Sequence, residues 1–111
     1  MSPLTLDEIV TRLDARLARA PRAQAQRLAS LRFRLSGEGG GDLYVAVGNG
    51  LAMASERQGP LPVDCTIRLS VTDAEDLLEG RLDAVKGYFS GRIRISGDMG
   101  QAMRLGDLLS G

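Results

Sequence analysis

The chain has 111 residues and a mass of 11.8 kDa, enough for one domain that buries roughly two-thirds of the surface its unfolded form exposes. Fourteen basic residues balance fourteen acidic ones, which removes the bulk electrostatic case for a nucleic-acid partner. There is no histidine and one cysteine, Cys65, which excludes Ser-His-Asp and Cys-His catalysis, His- or cysteine-built metal sites and an internal disulfide.

Thr5-Leu6-Asp7-Glu8 has the spacing of a capping box. Leu6, Ile9, Val10, Leu13 and Leu17 follow at three- and four-residue steps, which predicts an amphipathic helix. Pro21 ends that helix or opens a second short turn through Ala29. Leu31, Phe33 and Leu35 then alternate with Arg32, Arg34 and Ser36, the period of a strand with one buried face. The glycines from Gly37 to Gly41 read as a hairpin loop, because no Gly-Lys-Ser/Thr follows and the next element is a strand. Leu43, Val45 and Val47 alternate along that strand, and Gly48-Asn49-Gly50 predicts a tight turn into a third over Leu51–Ser55. The third strand sets Leu51 and Met53 against Ala52 and Ala54, so its buried face stays open.

Gly59-Pro60-Leu61-Pro62 reads as a crossing loop. In the fourth strand Val63, Cys65, Ile67 and Leu69 point one way and Asp64, Thr66, Arg68 and Ser70 the other. Thr72-Asp73-Ala74-Glu75 has capping-box spacing and predicts a helix stopped by Gly80. Residues 82–90 predict another helical turn or two, and Arg92–Ser96 a fifth strand. Asp98 caps a last helix carrying Met99, Ala102, Met103, Leu105, Leu108 and Leu109. The link between strands four and five is long enough for a right-handed crossover, so these two are expected to be parallel. Outward positions are Arg, Thr and Ser, so one sheet face is wet and helices cover the other, an α+β fold of two layers.

Little here carries chemistry. Asp73, Glu75, Asp76 and Glu79 read as a solvated helix face, and Cys65 as an inert small hydrophobe. Met99 and Met103 suit either plain core or a deformable apolar cavity. Residues 1–34 hold seven Arg against Asp7, Glu8 and Asp14, either a solvated face or a patch that meets anionic headgroups. No apolar run approaches the roughly 20 residues that span a bilayer, and the first residues are no signal peptide, so a cytoplasmic domain is expected.

Three segments resemble the sterol carrier protein 2 domain: Val63–Ser70, Leu77-Leu78-Glu79-Gly80-Arg81-Leu82, and Tyr88–Met99 with Ala102-Met103-Arg104-Leu105. The "Phe-x-Gly-Arg-Ile-x-Ile-x-Gly-Asp" run from Phe89 to Asp98 is the most specific part, and the likeness extends over residues 30–109. It implies one domain over residues 1–111, with a five-stranded, mostly antiparallel sheet covered on one face by helices and a lipid-sized apolar tunnel between the layers. It also implies non-catalytic binding of sterols, fatty acids, acyl-CoA esters or phospholipids, without a cofactor or metal. The candidate lining it gives is Phe33, Leu35, Val45, Val47, Ile67, Leu77, Leu78, Phe89, Ile93, Ile95, Met99, Met103 and Leu108. The expected partners are a lipid, transiently a membrane surface, and either a second copy or a separate enzyme. In that last case the domain presents a lipid-like substrate, such as a quinone precursor. The chain stops soon after Leu108 and lacks a Ser-Lys-Leu-like ending, so an open or subunit-closed mouth is expected and a peroxisomal address is not.

Overall fold

A computed structural model describes residues 5–19, 28–60 and 62–110, with side chains through Leu105. The turn expected around Pro21 lies outside these residues. The elements run α1 (Leu6–Leu17), β1 (Ala29–Ser36), β2 (Gly41–Gly48), β3 (Leu51–Ser55), β4 (Cys65–Ser70), α2 (Val71–Leu78), α3 (Ala84–Phe89), β5 (Arg94–Gly97) and α4 (Met99–Ser110). The fold is α+β, with one five-stranded sheet in the order β3-β2-β1-β4-β5.

Local signals build these elements as expected. Thr5 Oγ1 accepts from the Glu8 N–H while Glu8 Oε1 accepts from the Thr5 N–H, both at 3.2 Å, closing the capping box of α1. The Thr5 N–H, and then the Thr5 hydroxyl, which also donates to Glu8 Oε1, favour the ionised carboxylate and hold the Glu8 carboxyl below its usual range. Asn49 and Gly50 both have positive φ (54° and 84°), which turns β2 into β3 in two residues. The second capping box is not used. Ser70 caps α2 instead, its Oγ accepting from the Asp73 N–H at 3.0 Å, so the helix starts at Val71 without a loop.

The expected parallel pairing of strands four and five is wrong: β4 and β5 are antiparallel, with Ile67 opposite Ile95. The link between them is broken at Gly80 and Gly91, both at positive φ, into two short helices rather than one crossover helix. The parallel pair is β1 with β4, Leu31 opposite Cys65, reached through the β2–β3 hairpin and the loop after it. Asp64 closes the start of this pair. Its Oδ2 accepts from the Ser30 N–H (2.8 Å), and its own N–H donates to the Ser30 carbonyl (2.7 Å).

The core lies between sheet and helices. Leu31, Leu43, Val45, Cys65 and Ile67 are buried on the sheet side, and Ile9, Leu13 and Leu17 seat α1 on it. The open question on β3 is settled by this helix. Ala52 and Ala54 lie opposite Val47 and Val45 and turn inward, while Leu51 and Met53 face solvent. Only a small side chain lets α1 come close, and Asp14 Oδ1 then accepts the edge N–H of Ala54 at 2.9 Å.

Candidate functional site

A cavity lies between the β1–β4–β5 side of the sheet and the helices after β4. It measures about 300 Å³, at the lower end of the range for small-molecule pockets. Phe33, Ile67 and Ile95 form its floor. Leu77, Leu82, Ala84 and Ile93 form one wall, and Ala102 and Leu105 of α4 the other. A second void of about 40 Å³ lies under α1, lined by Ile9, Leu13, Leu35, Leu43, Leu69, Ala74 and Leu78. Phe33 and Leu77 line both spaces, so these two side chains are the partition between them.

One cation reaches the apolar wall. Arg16, on the flank of the α1 stripe, donates from Nη1 to the Leu77 carbonyl at 3.4 Å. Its remaining N–H groups have no partner among the described residues. A half-buried guanidinium with free donors beside an apolar cavity can hold a carboxylate or phosphate oxygen. Arg16 is absent from the lining residues read from the sequence. The sequence signal was present in the spacing of Arg16 between Leu13 and Leu17, at the edge of the buried stripe.

Ion pairs tie α2 to its surroundings beside the cavity. Arg92 bonds Asp73 and Asp76, Arg81 bonds Asp76 (3.1 Å) and Glu79 (3.3 Å), and Arg12 of α1 bonds Glu79 (2.9 Å). Exposed pairs are weak singly because water screens them, but together they hold α2 between α1 and the start of β5. The α2 carboxylates read from sequence as a solvated face are thus largely its clamps. Among the described residues no cluster of His, Cys, Asp and Glu is placed to hold a metal.

The sequence-derived lining divides into three groups. Phe33, Ile67, Leu77, Ile93 and Ile95 line the cavity, and Leu35 and Leu78 line the small void beside it. Val45 and Val47 are buried but sit away from both, nearer α1 and β3. Phe89, Met99 and Met103 are not in the wall. They are 81%, 37% and 65% exposed. The α3 helix buries only Gly87, where a Cβ would lie 2.7 Å from Ile93 Cδ1, and this close seat turns Phe89 outward. Among the described residues of α4 the buried ones are Ala102 and Leu105, which leaves Met99 and Met103, one turn apart, on another stripe. The side chain of Leu108 lies outside the described residues.

Cys65 is buried on β4, and Gly97 closes over it, where a Cβ would lie 2.9 Å from Cys65 Cα. Burial first, then the nearby carboxylates of Asp98 and Asp64, push its thiol up to about 11. At neutral pH it is therefore a protonated, unreactive thiol.

A mostly apolar cavity between a sheet and its helical cover, with Arg16 and Asp83 as its charged lining residues, has the make-up of a small-ligand binding site. The model of the SCP-2 sterol transfer family matches residues 10–110. The sterol carrier protein 2 of Gallus gallus is 42% identical over 45 residues, covering 40% of this chain and 8% of that protein. The chain spans between 8% and 19% of the length of the first curated relatives it matches. Among solved structures, palmitated SCP2L2 from Aedes aegypti superposes with a TM-score of 0.76 at 21% identity, covering 97% of this chain and 96% of that one. The UbiJ-SCP2 ubiquinone synthesis protein superposes at 0.68 and 18% identity, covering 92% and 90%. The chain belongs to the SCP-2 sterol transfer family. No helix among the described residues is long and apolar enough to cross a membrane.

Proposed function

We propose that this domain is a non-catalytic carrier of a single-chain lipid with an acidic head, a fatty acid or an acyl ester. The observation that carries this reading is the cavity of about 300 Å³ in which Arg16 is the one cation among the described lining residues, with the Asp83 carboxylate also in the lining and already accepting from the Val85 and Lys86 N–H groups. The acyl chain lies on Phe33, Ile67 and Ile95, and a longer chain displaces Phe33 and Leu77 to enter the space under α1. Each buried methylene contributes about 0.8 kcal/mol, so the chain supplies most of the affinity and the guanidinium sets its direction. The solved likeness to a palmitated SCP2L2 supports the same ligand class. On this reading residues 1–111 act as one cytoplasmic unit without metal or cofactor, meeting membranes transiently.

A second reading is presentation of a lipid-like substrate, such as a quinone precursor, to a separate enzyme or across a homodimer. The likeness to the UbiJ-SCP2 ubiquinone synthesis protein supports it.

Native mass spectrometry of the purified protein and titration of the delipidated protein with fatty acids of graded length test both. The expected result is an affinity that rises about fourfold per methylene until the cavity is full. Arg16→Gln weakens binding of a fatty acid and spares the alcohol of equal length. Absence of any bound fatty acid, acyl ester, sterol or quinone overturns the carrier reading. Copurification of an enzyme with a quinone-like ligand favours the second.

A further inference from the structure

The sheet face turned away from the helices carries its charges in an ordered block. Residues directly opposite one another run Asp42, Arg34, Arg68 and Arg94 across β2, β1, β4 and β5, and the next row runs Tyr44, Arg32, Thr66 and Ser96. Most of the block is internally satisfied. Arg34 pairs with Asp42 at 3.3 Å, Arg32 donates from Nε to the Thr66 hydroxyl at 3.3 Å, and Asp64, one row further on, accepts from the Ser30 N–H at 2.8 Å. Arg68 and Arg94 are the exception. Both are exposed, stand directly opposite each other, and have no partner among the described residues. Like charges placed opposite each other destabilise a sheet, so this pair weakens the fold that carries it.

The direction of the pair, across the strands, decides what fits it. Neighbouring strands lie about 4.8 Å apart, whereas an extended chain repeats its side chains on one face only every 6.8 Å or about that. A helix laid across the strands brings residues i and i+3 to about 4.5 Å, and i and i+4 to about 6 Å, along its axis, which brackets the spacing of the two arginines. Nucleic acid gains little here, because the face has two free cations and the chain no net charge. Headgroups of a bilayer have no fixed order, and the Asp42 and Asp64 carboxylates on the same face repel them. The arginines of α1 are different in kind, since Arg12 is paired with Glu79 and Arg16 bonds the Leu77 carbonyl.

We propose that the open sheet face docks an acidic helix of a separate protein, laid across β1, β4 and β5. Carboxylates one turn apart on that helix bond Arg68 and Arg94, and a neutral polar residue one turn earlier covers the Arg34–Asp42 pair. Guanidinium and carboxylate form forked, directional bonds, so the pattern selects its partner by spacing as well as by charge. Docking also removes the repulsion between the two arginines. The cavity lies on the other face of the sheet and stays free in the docked molecule, so docking and cavity occupancy are separate readouts. The inference does not rest on the carrier reading.

Titration of the intact, nitrogen-15-labelled chain with synthetic peptides tests it, read at the arginine Nε resonances. The probe is a helix-forming peptide of about 18 residues with Glu-x-x-Glu on one face. Its controls are the same peptide with Gln for Glu, and one with the two Glu moved to opposite faces. Saturable shifts of Arg68 and Arg94 are expected with the probe, weakening as salt is added, and both controls bind about tenfold more weakly or worse. Arg68→Gln with Arg94→Gln lowers affinity for the probe about tenfold, whereas Arg19→Gln with Lys86→Gln leaves it within about twofold. Thermal unfolding of the Arg68/Arg94 variant at low salt is no lower than wild type, because repulsion is relieved, which shows the loss is not unfolding. Equal binding of probe and controls, shifts confined to the α1 arginines, or no saturable shift overturns the proposal. A response of Arg68 and Arg94 to phosphatidylglycerol vesicles but not to the peptide overturns it too.

Discussion

The covered face of the sheet is closed in two different ways. Over β2 and β3, one twelve-residue helix lays Ile9, Leu13 and Leu17 onto Leu43, Val45, Ala52 and Ala54, and the void it shares with α2 toward β1 and β4 is about 40 Å³. Over β4 and β5 the cover is α2, the six-residue α3 and α4, interrupted at Gly80 and Gly91, and about 300 Å³ stays empty. Both halves present the same aliphatic strand residues. The difference lies in the cover. An amphipathic helix seated on alanines leaves little space, whereas the broken α2–α3 segment and α4, with Ala84 and Ala102 on their inner side, leave more.

The largest effect that follows is on stability. Leu13→Ala in the dense half lowers the unfolding free energy by about 3–4 kcal/mol in urea denaturation, since it strips a buried leucine from close-packed neighbours and adds its volume to the small void of about 40 Å³ beside it. Leu105→Ala, which enlarges an existing space, falls at or below the low end of that series, about 2 kcal/mol. Equal losses would erase the distinction between the halves.

Cys65 asks whether the looser half is nevertheless dry. Its folded thiol ionises near 11 and the unfolded one near the ordinary 9.0, so above pH 9 the unfolded state loses a proton that the folded state keeps. Stability is full below pH 9 and falls as pH rises toward 11, by about 2–3 kcal/mol. The fall is measured as wild type minus Cys65→Ala, which cancels other groups. A flat difference would mean that water reaches β4 through the cavity.

Filling the cavity comes next. Ala102→Trp lowers affinity for a fluorescent fatty acid about tenfold or more, equivalent to about 1.4 kcal/mol, and calorimetry finds its melting temperature close to wild type. The same replacement at Ala52, under α1, destabilises the fold by overpacking. Asp14→Ala has a smaller effect of about 1 kcal/mol, the loss of the acceptor for the Ala54 N–H, and faster hydrogen exchange at Ala54 reports it. Smallest of all is Met103→Trp. The side chain is 65% exposed, so fatty-acid affinity stays within about twofold of wild type. A large loss there would place Met103 back in the wall.

Most of the elements were legible because each is written in a local code. The 3.6 period of α1, the alternation of β1, β2 and β4, the Asn49-Gly50 turn and the Asp98 cap all depend on residues within a few positions of each other. The sense of β5 was not legible, because it depends on where the chain returns after two glycine breaks. Nor was the cap of α2, where Ser70 and Thr72 are equally good by type.

The candidate site was half legible for a related reason. Strand alternation puts Phe33, Ile67 and Ile95 on the covered face whatever lies above them. On the helices, Phe89, Met99 and Met103 have the same apolar character as Leu82, Ala102 and Leu105, and only the seat of each helix separates wall from solvent. Arg16 is the converse, a cation that the α1 stripe carries to the cavity edge.

The sequence by itself therefore determined the class of the fold, the buried side of most strands and the absence of histidine chemistry, because periodicity and composition act over short range. Tertiary structure alone decided the parallel β1–β4 pair, the inward turn of Ala52 and Ala54, the arginine row from Arg34 to Arg94 and the position of the cavity. Each of these joins residues far apart in the chain. Close packing across the layers and register across the strands fix such neighbours, and neither is encoded in any one segment.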